Sequence, residues 1–122
     1  YAAGVQFHPV EYNGKTYYPG QANNFYIFPA IGMSVLVTQA KMVNDAMFIE
    51  AAHAIADEVS TDQLSVGSLY PLQANILGAE LRAAERIAKN IFDQKLARIA
   101  RPENIQELIQ KNVYKPEYRN VE

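Results

Sequence analysis

Apolar and polar positions alternate only loosely from Val5 to Pro19, whereas beyond Tyr26 they recur at helical spacing. In the first stretch, Tyr12-Asn13-Gly14-Lys15 stands between Val10 and Thr16-Tyr17-Tyr18. Asn-Gly between such flanks predicts a hairpin with a two-residue type I′ turn. Pro9 and Pro19 limit both arms, so the expectation is a short edge hairpin or an irregular ribbon. Pro29 fits the first turn of a helix running to about Ala40, in which Gly32 and Ser34 are small enough for a neighbouring backbone to come close. Asn44 caps a second helix, and Phe48, Ile49, Ala52, Ile55, Ala56 and Val59, three and four residues apart, predict its buried face. Ser60-Thr61-Asp62-Gln63 reads as a capping box opening a short helix that Gly67 ends. Tyr70-Pro71 interrupts the chain before the longest helix, Asn75 to about Arg98. Ile76, Ala79, Ala84, Ile87, Ala88, Ile91 and Phe92 share one side of it, and Glu85 and Lys89 sit outside at the favourable spacing of four. Pro102 permits a last short helix, Asn104 to Lys111, followed by a polar tail containing Tyr114, Pro116 and Tyr118. No βαβ unit is visible, so the pattern predicts a mainly α chain with a short N-terminal β ribbon.

Composition narrows the function. A length of 122 residues suits one hydrophobic core. A formal net charge of −2 with interspersed signs provides no basic stripe, which argues against nucleic acid and against an anionic membrane surface. The absence of cysteine removes disulfides, thiolate metal sites and a cysteine nucleophile, and it favours a reducing compartment. The apolar run from Tyr26 to Val37 is broken by Pro29, Gly32 and Ser34 and falls short of the roughly 20 residues that cross a bilayer. Tyr1-Ala2-Ala3-Gly4 has neither an initiator Met nor a signal-peptide pattern and reads as the interior of a longer protein. The expected location is intracellular, in the cytoplasm or an organelle matrix.

The most pointed chemistry lies in Pro19-Gly20-Gln21-Ala22-Asn23-Asn24-Phe25-Tyr26-Ile27-Phe28-Pro29, a polar turn opening into an apolar helix. Asn23 and Asn24 each offer two N–H donors, and the first free amides of a helix point the same way with the positive end of its dipole. Such a site suits a carboxylate or phosphate oxygen. The competing reading is that one of the pair simply caps the helix. Glu50, His53 and Asp57 share a helix face at metal-ligand spacing, but a helical di-metal site needs a second such pair, and the one other histidine is His8. A solvated face is the reading preferred for them. Neither histidine has a serine and an acid in a triad arrangement, and no Gly-rich phosphate loop is present. Leu69-Tyr70-Pro71-Leu72 reads as an interhelical turn pinned by Tyr70. The tail from Tyr114 to Tyr118 is either a docking segment or a loose end.

Taken in order, Phe7-His8-Pro9-Val10, the run from Tyr12 to Asn24, Tyr26-Ile27-Phe28-Pro29 and Leu69-Tyr70-Pro71 resemble the C-terminal part of the malic enzymes across nearly the whole chain. These enzymes oxidise L-malate with NAD or NADP and decarboxylate it to pyruvate, using Mg or Mn. The resemblance implies that Asn23 and Asn24 bind the malate carboxylate near the nicotinamide. It also implies that the catalytic Tyr and Lys, the acidic metal ligands and the nucleotide loop lie upstream, so that no catalytic or metal-binding residue is expected here and the chain alone is expected to be inactive. Residues 1–40 would then end a Rossmann-like α/β NAD(P)-binding domain, and residues 41–122 would form a C-terminal helical region. A homo-oligomer is expected. Two departures stand out: Ala22 and Ala30 replace glycines of many relatives, and Leu-Tyr-Pro-Leu replaces Leu-Tyr-Pro-Pro. Gln-Ala-Asn-Asn also resembles the malolactic enzymes, and a non-catalytic helical interaction module is the alternative from another class.

Overall fold

The computed structural model describes residues 1–115. Strands β2 (Val10–Tyr12) and β3 (Lys15–Tyr17) form the expected antiparallel hairpin, with Tyr12 opposite Lys15. Asn13 and Gly14 between them have φ of 50° and 72°, the pair of left-handed residues that a type I′ turn requires. A second pairing was not expected from the pattern. Strand β1 (Ala2–Ala3) runs parallel to β4 (Gly20–Gln21), with Ala2 beside Gly20 and Ala3 beside Gln21. Two-residue strands carry no alternation to read.

Five helices follow: α1 (Phe28–Thr38), α2 (Asp45–Ala56), α3 (Thr61–Ser65), α4 (Ile76–Asp93) and α5 (Ile105–Lys111). Their starts obey local chemistry. Asn44 accepts from the Met47 amide at 3.3 Å, Asn104 accepts from the Glu107 amide at 3.0 Å, and Ser60 and Gln63 complete the capping box in both directions. Gly67, at φ 79°, follows α3 as expected. The ends of α1 and α4 fall earlier than predicted. Gln39 (φ 50°) and Lys95 (φ 58°) take the left-handed conformation, and Ala40 and Leu96 donate back to Val35 and Ile91 in Schellman-type closures. No glycine marks either stop, which is why the helical pattern seems to run on. The two exits then hold each other: Lys41 N donates to Leu96 O at 2.9 Å and Arg98 N to Thr38 O at 3.2 Å.

Helix α4 is central, packed against α1, α2 and α5. Its predicted face is the observed one, with Ala79, Ala84, Ile87, Ala88, Ile91 and Phe92 buried. Ser34 meets it as expected: the hydroxyl lies 2.8 Å from Ala84 O and 2.7 Å from Ala30 O, and its single proton serves one carbonyl at a time. Gly32 does not admit a neighbour; it is exposed, and a Cβ there would meet nothing within 4 Å. The predicted face of α2 holds at Ile55 and in part at Val59, but not at its other positions. Met47, Ala51, Ala54 and Ile55 are buried, while Phe48 and Ile49 are 48% and 58% exposed and Ala52 and Ala56 face outward. The helix is apolar on most sides, so its spacing fits two faces. The face that turns inward carries two alanines, which let α2 approach the alanine-rich face of α4 closely. Glu85 and Lys89 form no ion pair among the described residues. The cations of α4 reach sideways instead, Arg82 to Glu58 at 2.5 Å and Arg86 to Glu50 and Asp57 at 2.7 and 2.6 Å.

Candidate substrate turn

The Asn pair does not open directly into α1. Asn24–Tyr26 forms a 3₁₀ turn with Asn23 as its cap, and α1 begins two residues after Tyr26 with Pro29 in its first turn. Phe25 N donates to Asn23 Oδ1 at 3.2 Å, Tyr26 N to Asn23 O at 3.3 Å and Ile27 N to Asn24 O at 3.0 Å. Those three amides are therefore already engaged, contrary to the expectation of free helix amides beside the pair. Donors that remain for an anion include the side-chain carboxamides. Asn23 is half-buried and already uses its carbonyl oxygen as the cap, keeping its NH₂ available. Asn24 is exposed, and among the described residues its carboxamide has no hydrogen-bond partner.

The turn is anchored by its third residue. Tyr26 is 2% exposed, its ring centre lies 4.5 Å from that of Phe25 and 5.2 Å from that of Tyr70, and its hydroxyl donates to Pro71 O at 2.7 Å. A buried tyrosine needs a partner for its O–H, and the carbonyl of the Leu69-Tyr70-Pro71-Leu72 turn supplies one. Burial raises the Tyr26 phenol above its ordinary pKa, with Tyr70 adding to the effect. The 69–72 turn is thus pinned at Tyr70 as expected, through its ring packed on Tyr26 and the core, and by the Tyr26 hydroxyl as well. The Tyr70 ring also covers Gly20 of β4, where a Cβ would stand 3.2 Å from Tyr70 Cδ2 and 3.4 Å from Leu69 N. A link across 45 residues leaves no periodic trace in sequence; the one available signal was a tyrosine inside an apolar run.

The other candidates resolve into structural roles. Glu50 and Asp57 are both held by Arg86, and His53 is exposed beside them. No group of three or more histidine, cysteine or acidic residues is placed to hold a metal among the described residues. His8 is exposed between β1 and β2. Tyr114 is 84% exposed, while Pro116 and Tyr118 of the tail lie outside the described residues. No described helix is long and apolar enough to cross a membrane.

Comparison with known proteins carries the turn to a family. Residues 1–112 match the family described as malic enzyme, NAD binding domain. An NADP-dependent malic enzyme of Dictyostelium discoideum is 40% identical over 118 residues, covering 97% of this chain and 22% of that protein. One from Vitis vinifera is 40% identical over 121 residues, covering 98% and 20% respectively, and a chloroplastic one from Flaveria pringlei is 38% identical, covering 98% and 19%. The chain spans about a fifth of the length of these curated relatives. With matching residues from the β1 strand through α5, this chain belongs to the malic enzyme family, within the region that family assigns to its NAD-binding domain.

Proposed function

We propose that the protein carrying this chain oxidatively decarboxylates L-malate to pyruvate and CO₂ with NAD or NADP and a divalent Mg or Mn ion, and that the chain contributes part of the malate site. The observation that carries this reading is the exposed carboxamide of Asn24, without a hydrogen-bond partner among the described residues, on a turn tied down at Tyr26. The relatives, all NADP-dependent malic enzymes, support the reaction class. Asn24, with the NH₂ of Asn23 beside it, would donate to a malate carboxylate oxygen. An amide donor holds an anion without adding a titrating group, so it orients the substrate for hydride transfer and leaves proton movement to other residues. The residues of this chain do not fit the metal, because Glu50 and Asp57 are committed to Arg86, and no step is assigned to it here. The metal ligands, the acid and base and the nucleotide loop belong elsewhere in the polypeptide, and the chain by itself is inactive. On this reading residues 1–40 end the Rossmann-like domain, residues 41–122 form the C-terminal helical region, and the full protein is a homo-oligomer of the cytoplasm or an organelle matrix.

The test is Asn24→Ala in the full-length protein. Loss of a hydrogen bond to a charged carboxylate should lower kcat/KM for malate about 10- to 100-fold while leaving the Kd of the dinucleotide unchanged. A kcat/KM equal to that of the parent would remove Asn24 from the site, and malate oxidation by the isolated chain would refute the assignment of the chemistry to other segments.

A further inference from the structure

Bonds within the 3₁₀ turn fix its shape, but its direction relative to the body of the protein must come from outside. Tyr26 is the buried residue of that turn. Its ring lies against Tyr70, the Tyr70 ring covers the backbone of Gly20 just before the Asn pair, and Pro71 O receives the Tyr26 hydroxyl. The 69–71 segment therefore braces the polar turn at two places, at β4 on its entry side and at Tyr26 on its exit side. The brace is itself supported from α3, since Gln63 Nε2 lies 3.4 Å from Tyr70 O and Ser68 Oγ is at the same distance from that oxygen.

We propose that Tyr26 is a positioning residue of the malate site, its hydroxyl bond to Pro71 fixing the direction in which Asn24 presents its carboxamide. This rests on the assignment of Asn24 to malate. Asn24 and Tyr26 belong to one turn of the chain, so a tilt at Tyr26 is transmitted directly to the Asn24 side chain. Displacements on the order of 1 Å at a substrate-orienting group cost up to about 10²-fold in rate, so the bond acts on how malate is held for reaction.

Tyr26→Phe in the full-length protein removes the hydroxyl and keeps the ring stack, and Tyr12→Phe, on the exposed β2 strand, serves as a control that removes a tyrosine hydroxyl outside the brace. Kinetics are measured well below the melting temperature of each variant, with the dinucleotide Kd determined separately. Tyr26→Phe should lower kcat/KM for malate about five- to tenfold, the size of one neutral hydrogen bond, with dinucleotide affinity unchanged. Tyr12→Phe should match the parent. If Tyr26→Phe retains full kcat/KM while Asn24→Ala is impaired, the positioning role fails and the substrate assignment stands. If Asn24→Ala is itself unimpaired, both fall. Equal weakening of malate and dinucleotide in Tyr26→Phe would show a general structural role and overturn the proposal.

Discussion

Single backbone positions decide how the ribbon meets the helices. Gly67 combines φ 79° with a site where an added Cβ would lie 3.4 Å from Tyr17 Cδ1, and the adjacent Val66 O receives the Tyr18 amide at 2.9 Å. Gly67→Ala places an L side chain in the left-handed region at that junction, which costs about 1–2 kcal/mol. A lowered urea midpoint with unchanged slope is the expected result, and an unaltered midpoint would contradict it. Gly67 and Asn13-Gly14 were legible in sequence because a positive φ demands a particular residue type. Gln39 and Lys95 adopt the same conformation without that chemistry, so the ends of α1 and α4 were not legible. Of the candidate site, the Asn pair could be read from its residue types. The Tyr26–Pro71 bond could not, because it joins residues 45 apart with nothing between them to fix their approach.

At the level of elements, α2 and the turn after it are joined to α4 by alanine packing inside and by arginine–carboxylate pairs at the rim. Arg82 binds both oxygens of Glu58, Nε to Oε1 and Nη2 to Oε2, each at 2.5 Å. This hydrogen bond is the main cause that holds the Glu58 carboxyl below its usual 4.5, against some desolvation. A carboxylate with a depressed pKa in the folded state stabilises the fold fully above its unfolded value. That contribution is lost as pH falls through the folded value. With Arg82 57% exposed, the pair is worth about 0.2–1 kcal/mol. Glu58→Gln should therefore lose about that much stability at pH 7, and the gap to the parent should close as denaturant titrations are repeated toward pH 3. A gap independent of pH would mean that shape, not charge, matters at this position. Glu80 acts in the opposite sense: burial raises its carboxyl pKa, so its ionised form opposes folding at neutral pH and the penalty lifts on acidification. The face of α4 was legible because polar residues fill its other sides; that of α2 was not, because apolar residues fill nearly all of them.

For the whole molecule, several large apolar side chains of the helices are exposed among the described residues. Phe28 and Leu36 of α1 are 70% and 65% exposed and stand eight residues apart, so with Gly32 between them they form one stripe along the helix. Met42 and Val43 precede α2 and are exposed as well, as are Phe48 and Ile49 within it. The parallel β1–β4 pair points the same way, since parallel sheets occur almost only with both faces covered. The isolated chain, which spans about a fifth of its relatives' length, is accordingly expected to associate, because contiguous apolar patches find partners. Sedimentation of the isolated 122-residue chain should show concentration-dependent self-association. Leu36→Ser combined with Phe48→Ser should shift it toward monomer with little change in helical circular dichroism, since neither side chain contributes to the buried core. A parent chain already monomeric at about 100 μM, well above the Kd of an ordinary specific dimer, would show that these residues are scattered exposure and not an uncovered face.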